Sequence, residues 1–586
     1  MRVALVPGPG RSGLLCSLGD DGTAADAAVA VPDFAAAVAE REQSGDVRWV
    51  WQSGAAVYPA LLRAGVRIAR CHDAELTESL LLGRDGHSSE SASLSAAAAR
   101  LTGRSALHIS QPKPALEIDA LPQLLFDEPD RAEKAERAAQ AVMADLVAVH
   151  ASQLARIGAE PQTPRFGTLT AAESAGGLVA AEMTAAGLPW RADVHDGLLT
   201  ELLGPRPASV SGLPARPVRL AELVAQISAE LGAVRPVNPD SPAQLLRALA
   251  ASGIRVPSTR TSVLRSVDHP VIPLLLRYKE LARLHTANGW SWLDTWVCDG
   301  RFRPEYIVGG VVSGRWATRG GGALQIPKVL RRAVVADPGW TLVVADAAQL
   351  EPRILAALAG DGAFAEAAAS GDVYSAVASA VGTERDKAKV ALLSAMYGGT
   401  GGDGGQSLAL LRRRFPQASA FVEAAARAGE EGRVVRSVLG RTCPPPSAAW
   451  LSVTGESGDP EGERDPSAGR ASRARGRFTR NFVVQASAAD WALVLLAALR
   501  TRLTELGLDG QSDPGPAGAW PGDRQRPLLV FFQHDEVVVH CPAGLAGDVV
   551  AAVEAAAATA TRLVFGSTAV SFPMTTAIVD CYSDAK

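Results

Sequence analysis

Lysine is scarce in this sequence: only seven of its 58 basic residues are lysine, and the rest are arginine. A lysine where an arginine would serve any solvated face therefore needs its own explanation, and two of the seven are Lys387 and Lys389. Cysteine is scarce too. Cys16, Cys71, Cys298, Cys443, Cys541 and Cys581 include no CxxC pair, which argues against a zinc site and a disulfide framework and leaves ordinary thiols. No run of about 18 uncharged apolar residues occurs, and MRVALVPGPGRSG lacks the apolar segment of a secretory signal. Neither a membrane partner nor export is expected, and the expected location is the cytoplasm. A large net charge is also missing: at −4 the chain has no global attraction for nucleic acid, so local basic surface must decide. Residues 468–480, AGRASRARGRFTR, hold Arg470, Arg473, Arg475, Arg477 and Arg480 with no acid, and RRR at 412–414 and RR at 331–332 add basic points.

With 586 residues, 47% hydrophobic and 20% charged, the chain is a folded protein of several domains. The first 100 or so residues alternate short apolar runs (VALVP, LLCSL, RWVWQ) with Ala-rich helical stretches, which predicts a small α/β domain. Residues 131–158 and 171–187 read as helices and 217–286 as largely helical, with a Ser-Pro start at 241–242. Strand-like segments follow at 304–312, 341–346 and 528–540. Residues 456–477 and 509–527 are rich in Gly, Pro and charge and read as surface loops. No internal repeat of 20 to 50 residues stands out.

Three segments carry chemistry. VVADAAQLEPRILAALAGD (343–361) is a buried strand ending on Asp346, followed by an Ala/Leu helix that opens with Glu351 and Arg353. Taken alone, Asp346 reads as a helix cap and Glu351 and Arg353 as a solvated face. LLVFFQHDEVVVHC (528–541) reads as a hairpin with His534, Asp535 and Glu536 at its tip. Two strand-end aspartates are what a two-metal site needs, one ion activating a hydroxyl and the other stabilising a leaving phosphate, and Asp346 and Asp535 would supply them. In RDKAKVALLSAMYGG (385–399), Arg385, Lys389, Leu393 and Tyr397 recur every four residues and form one helical stripe. An ammonium and a forked guanidinium aimed at a triphosphate explain the choice of residues better than a solvated face does.

In this order the segments resemble motifs A, B and C of the A family of DNA polymerases, the bacterial DNA polymerase I type. SGRWATRGGGALQIP (313–327) is similar to the family's primer-template segment, and RFTRNFVVQASAAD (477–490) to its template-contacting helix. The resemblance implies an α/β multidomain chain: a degenerate ribonuclease H-like 3′-5′ exonuclease domain over residues 1–160, then a right-hand polymerase over 161–586. Within the polymerase it implies palm start and thumb over 161–340, motif A over 341–362, fingers over 363–450, and palm with motif C over 451–586. It makes Asp346 and Asp535 the ligands of two Mg²⁺ ions, for which Mn²⁺ can substitute, with Glu536 supporting the primer end. Arg385 and Lys389 would hold the nucleotide phosphates, Lys389 also acting in catalysis. Leu393 would lie under the nucleotide, Glu351 would be the steric gate against a ribose 2′-OH with Tyr397 packed over it, and Gln349 belongs to the same motif. Arg315, Gln325, Arg477, Asn481, Gln485 and His534 would touch primer or template. The implied partners are primer-template DNA and dNTPs, the implied state a monomer at the nucleoid.

Departures from the family pattern mark a divergent branch. Leu393 stands where the family has an aromatic residue, ALQIP lacks an asparagine, motif A carries Ala347 and Pro352 in place of an aromatic and an aliphatic residue, and GGTGGDGG after Tyr397 is short and glycine-rich. The N-terminal region resembles a worn proofreading domain. Residues 47–83 match its centre, and Asp73 matches one metal ligand. MRVALVPGP has no acid where an Asp-x-Glu pair is needed, and Ala141 stands where an aspartate is expected, with Asp145 one turn on. Loss of proofreading is the expectation, and a polymerase with residual 3′-5′ exonuclease is the alternative. No 5′-nuclease domain is expected before this region, and flap removal is expected to fall to another protein. Two other classes compete: a catalytically silent primer-template-binding protein, against which the set Asp346, Asp535, Arg385, Lys389 and Tyr397 argues, and a single-subunit RNA polymerase relative, against which Glu351 argues.

Overall fold

The computed structural model describes residues 1–103, 129–210, 213–214, 216–319, 322, 326–398, 404–455, 466–506 and 526–585. The chain divides into two units: Met1–Ala186 with Glu305–Ala317 and Val343–Ala577, and Gly187–Pro304 with Thr318–Leu342 and Ile578–Lys586.

In the first unit the N-terminal apolar runs form a five-stranded sheet in the spatial order Val29–Val31, Gly13–Leu18, Arg2–Pro7, Arg48–Trp51, Arg70–Asp73. The Arg2–Pro7 strand pairs parallel to Arg48–Trp51, and that strand parallel to Arg70–Asp73. Both faces of such strands are covered, which is why VALVP and WVW are continuous rather than alternating. Ala4, Val6, Leu14 and Val50 share one core with Met143, Leu146 and Val149 of the helix Pro129–Gly158, whose apolar residues recur at helical spacing. A buried polar cluster joins this fold to the rest of the unit. Glu182 accepts from Arg67 Nη2 at 2.8 Å, Arg500 Nη2 at 2.6 Å and Tyr58 Oη at 2.6 Å, and Arg500 also donates to the carbonyls of Ile68 and Ala69.

A second sheet has the order Leu528–Gln533, Glu536–Pro542, Trp340–Ala347, Met574–Val579. The hairpin predicted at 528–540 is present, with Gln533 paired to Glu536 across the turn and a register shift between Leu529 and Phe531. The helix Pro466–Glu505 passes behind this sheet's unit as its central element. From Phe482 to Leu496 nearly every residue is buried, as in a helix that is apolar all round. Among the described residues, this helix and Ala543–Phe565 are long and apolar enough to cross a membrane, and 83% of the apolar window of the first is buried inside the protein.

Three local expectations are corrected here. Residues 466–477 are helical, because the run from Ser467 to Arg480 holds no proline and only two glycines; residues 456–465 and 509–525 lie outside the described residues. The strand at 304–312 is limited to Glu305–Ile307, because Gly309, Gly310 and Gly314 turn the chain. Arg353 is not solvated but fully buried.

The second unit is mainly helical, with Ala192–Leu203, Val218–Glu230, Pro242–Ala251 and Val271–Asn288. Ser241 caps its helix as the Ser-Pro signal predicts, accepting from Gln244 N.

Candidate active site

Asp346 is the seventh of eight residues in the strand Trp340–Ala347, and Asp535 follows His534 in the hairpin turn. His534 adopts the left-handed conformation (φ 57°), which lets two residues close the turn. Ala347 N donates to Asp535 O at 3.0 Å, so the two aspartates sit on neighbouring strands at the same end of the sheet. Both are half-buried, while Glu536, the first residue of the returning strand, is 4% exposed.

The helix Leu350–Ala359 follows at once, and its N-cap is not Asp346 but Gln349, held left-handed at φ 56°. Gln349 instead joins a polar cluster that the sequence reading missed. Its Oε1 accepts from Val373 N at 2.7 Å and its Nε2 donates to Asp372 Oδ1 at 2.7 Å. Asp372 also caps the helix Val373–Val381 and accepts from Arg385 Nε at 2.7 Å and Ser375 Oγ at 2.9 Å. Burial pushes the Asp372 carboxyl up, but the bonds from Arg385, Gln349 and Ser375 outweigh it and hold it well below the usual carboxylate range. Behind it, Arg353 donates to the carbonyls of Ala348 (2.8 Å), Ser571 (3.0 Å), Ser370 (3.1 Å), Gly371 (2.9 Å) and Ala368, and so fixes the turn that delivers Asp372.

The helix Arg385–Tyr397 buries Ala388, Ala391, Leu392, Ala395 and Met396, and the stripe Arg385, Lys389, Leu393, Tyr397 slants along one flank of that packed face, with Leu393 and Tyr397 half-buried. Arg385 and Lys389 are exposed, and both lie over the ring of Tyr374, at 5.7 and 5.8 Å from its centroid. Glu351 is the meeting point of the site: Tyr397 Oη donates to its Oε2 and Arg315 Nη2 to its Oε1. Burial raises the Glu351 carboxyl above its ordinary range despite the Arg315 charge. Arg315, read from the sequence as a nucleic-acid contact, is therefore engaged with Glu351. Its charge also reaches His534, whose imidazole is lowered first by desolvation and then by Arg315.

Arg315 is supported from beneath. Arg441 donates to Glu173 Oε2 at 2.7 Å and to Asp490 Oδ1 at 3.0 Å, a triad with side-chain exposures of 8%, 4% and 0%. Gly314, at φ 82°, lies so close to Arg441 that a Cβ there would meet its Nε at 2.3 Å. No single-residue signal marks this triad in the sequence, since its members lie 268 and 49 positions apart.

On the long helix, Asn481 donates its side-chain amide to Met396 O and Arg477 O, both at 3.2 Å, and Arg480 Nε donates to Ala395 O at 2.8 Å. The bonds to Met396 O and Ala395 O satisfy carbonyls at the end of the Arg385–Tyr397 helix. Gln485 is half-buried one turn further on, and Gln325 lies outside the described residues. Asp73 sits elsewhere: it is 1% exposed and caps the helix Ala74–Arg84, accepting from Leu76 N at 3.0 Å and Gly54 N at 2.6 Å. Burial pushes its carboxyl up to about 7, against those two amide bonds. Among the described residues no group of three or more His, Cys, Asp or Glu could hold a metal ion.

A family model described as DNA polymerase family A matches residues 217–578, which include Asp346, Glu351, Asp372, Arg385, Lys389, Tyr397, Asp535 and Glu536 but neither Glu173 nor Asp73. The chain belongs to that family. Among its relatives, the thermostable DNA polymerase I of Thermus aquaticus is 26% identical over 384 residues, covering 57% of this chain and 41% of the relative. The DNA polymerase I of Chloroflexus aurantiacus is 25% identical over 307 residues, covering 47% and 28%. The chain thus spans less than half the length of these relatives. A solved structure, the POL domain of Pol1 from M. smegmatis in complex with DNA primer-template and dNTP, superposes with a TM-score of 0.69 at 18% identity. It covers 100% of this chain and 95% of that one, and establishes the shared fold from the N-terminal sheet onward.

Proposed function

We propose that this chain is a template-directed DNA polymerase that adds deoxynucleotides to a primer 3′ end, acting as a monomer at the cytoplasmic nucleoid. The observation that carries the reading is the pairing of Asp346 with Asp535 across the Ala347–Asp535 backbone bond, together with a helix whose Arg385 and Lys389 lie over Tyr374 and whose Tyr397 bonds Glu351, five residues after Asp346. Two carboxylates at one end of a sheet suit Mg²⁺, which keeps waters and takes substrate phosphates as its remaining ligands. Two such ions would lower the pKa of the primer hydroxyl and stabilise the leaving pyrophosphate, and Mn²⁺ can serve in their place. Asp346 and Asp535 would hold them, and Glu536 would brace the hairpin tip at the primer end.

The other residues bind and orient. Arg385, pre-set by Asp372, and Lys389 grip the nucleotide phosphates as the bond from the primer oxygen to the α-phosphorus forms and that to pyrophosphate breaks. Glu351, clamped between Arg315 and Tyr397, fills the space that a ribose 2′-OH needs. Leu393 offers an aliphatic surface to the nucleotide where the family stacks an aromatic ring, which weakens alignment. Arg477, Asn481, Gln485 and His534 would contact the primer-template, where bonds to the backbone position the duplex.

Proofreading is lost in this reading. Both oxygens of Asp73 already accept backbone amides as a helix cap, so the matched acid serves structure rather than metal. The N-terminal fold then acts as a platform, tied to the long helix through Arg500 and Glu182. Primer extension with Mg²⁺ and dNTPs, beside a lane without dNTPs, tests both halves. Asp346→Ala and Asp535→Ala should each lose extension by orders of magnitude while still binding primer-template, and unchanged extension in either would overturn the two-metal assignment. Primer shortening that survives Asp346→Ala and disappears with Asp73→Ala would restore the exonuclease.

A further inference from the structure

The arginine-rich run at 468–480 is only partly used by the site described above, and its helical state sorts its five arginines. Arg475 donates to Pro444 O at 3.0 Å and lies over Trp450, and Arg480 is bonded to Ala395 O. Those two are packing residues. Arg470, Arg473 and Arg477 are exposed. At about 100° per residue, Arg470, Arg473, Arg477, Asn481 and Gln485 fall within an arc of roughly 120° and along roughly 22 Å of the helix. Arg473 and Arg470 therefore prolong, by about 10 Å, the stripe on which Arg477, Asn481 and Gln485 lie.

Nothing in the helix itself favours this arrangement. Its first turn has no acid, and positive charge there opposes the helix dipole. Arg470 with Arg473, and Arg473 with Arg477, are like-charged neighbours at three and four residues, each mildly destabilising. A Cβ on Gly469 would meet Arg473 Nη1 at 3.2 Å, so this guanidinium lies back along the helix, beside Gly469. The direction is set at the other end of the stripe, where the stem of Arg477 lies against Gly398, the residue after Tyr397, and Asn481 reaches Met396. Beyond that point the helix runs along Pro416–Glu430, with Gly476 against Glu430 and Thr479 bonded to Ala425 O at 2.7 Å. Arg473 and Arg470 thus lie beyond the nucleotide-binding helix, on the fingers side and away from the sheet that carries Asp346 and Asp535.

We infer that Arg470 and Arg473 bind the backbone phosphates of the unpaired template strand as it approaches the nucleotide site. The inference rests on the polymerase reading. Duplex product is held at the sheet, so the strand reaching the fingers side is the one not yet copied.

The test is the salt dependence of binding, by fluorescence anisotropy, to a labelled primer-template with a 5′ template overhang and to a blunt duplex of the same sequence. Each phosphate contact to a single strand contributes ~0.7 to the slope of log K against log salt. The variant Arg470→Gln/Arg473→Gln, which keeps helix propensity, should flatten the slope by about 1.4 on the overhang substrate and leave the blunt duplex unchanged. Arg470→Glu/Arg473→Glu should flatten it further. An unchanged slope on the overhang substrate, or an equal change on the blunt duplex, overturns the assignment. Circular dichroism of each variant checks the helix. Asp346→Ala should keep the wild-type slope while losing extension, so a failure of the polymerase reading and a failure of this inference are separately visible.

Discussion

Replacing Arg441 by methionine tests whether the support beneath Arg315 holds the site together. The substitution keeps much of the side chain's volume and leaves Glu173 and Asp490 buried without their common cation. At 3 Å and an effective dielectric near 20, each pair has a gross attraction of roughly 5 kcal/mol, most of which offsets desolvation. Breaking one buried pair costs about 3–5 kcal/mol, and two stranded carboxylates put Arg441→Met at the upper end of that range. The deficit should also depend on pH in a definite sense. Burial already raises the Asp490 carboxyl in the presence of Arg441, and without the guanidinium that acid would stay protonated further up the scale. A group whose folded pKa is raised contributes stability below its unfolded pKa and loses it as pH rises, so the deficit should be smaller at pH 5 than at pH 8. Gly314→Ala reaches the same triad from the other side, because its Cβ would meet Arg441 Nε at 2.3 Å. Urea unfolding followed by tryptophan fluorescence reads the result, with Trp491 beside Asp490 as a local probe. An Arg441→Met protein within about 1 kcal/mol of wild type at pH 8, or a deficit that does not change with pH, would refute the argument.

The remaining predictions concern the gate, the phosphate grip and acid stability. Glu351→Ala should raise ribonucleotide incorporation relative to deoxynucleotide at some cost in rate; equal discrimination by mutant and wild type would remove Glu351 as the sugar sensor and revive the RNA polymerase reading. Asp372→Asn removes the charge that orients Arg385, so KM for the nucleotide should rise several-fold with a smaller change in kcat, and a fall in kcat alone would place Asp372 elsewhere in the cycle. His72 and His150 lie in edge contact, 4.4 Å between centroids, and burial lowers them to about 4 and about 2. The unfolded chain takes up these protons near pH 6.5 and the folded one does not. Stability should therefore fall as pH drops from about 6.5 toward 4, by up to ~1.4 kcal/mol per pH unit for each histidine. A thermal midpoint that does not move in that window would contradict the two burials.

What could be read from the sequence was what depends on periodicity or on neighbours in the chain. The apolar strands ending at Asp346 and Asp535 are legible because a strand buried on both faces is a continuous apolar run. The stripe of Arg385, Lys389, Leu393 and Tyr397 is legible because one helix fixes its spacing. Arg353 was misread as solvated because local pattern cannot distinguish a charged residue on a polar face from one whose guanidinium collects carbonyls from two distant turns. Asp372 and Tyr374 were missed for a similar reason: "GDVY" reads as a helix cap, and it is one, but the same carboxylate also takes Arg385. The low-complexity reading of 456–477 failed at Pro466, because richness in Gly, Pro and charge was averaged over two stretches of different kind. Residues 456–465 hold Pro460 and the acids, while 467–477 are alanine, serine and arginine with only Gly469 and Gly476 among them, a run compatible with a helix.

The polar residues of the site share a pattern of support that bears on how it works. Arg385 is oriented by Asp372, Asp372 by the turn that Arg353 holds, Glu351 by Arg315 and Tyr397, and Arg315 by a loop pressed onto Arg441. Arg385 and Glu351 are thus each held by partners from another element, and two of the four supports end on an arginine that is itself buried. An arginine suits that place because it remains charged when buried and offers five donors in a fixed plane, where a lysine would lose its charge more readily and satisfy fewer carbonyls. The scarcity of lysine that opens the sequence is consistent with this use. Lys389 is the exception the chemistry requires, exposed over Tyr374, where a compact ammonium can meet a phosphate without a fixed fork. Lys389→Arg should therefore fold normally and yet lose activity, whereas Arg353→Lys and Arg441→Lys should each lose stability first. Thermal midpoints measured beside primer extension separate the two outcomes, and a Lys389→Arg enzyme of wild-type activity would show that charge alone, and not its shape, is what the nucleotide requires there.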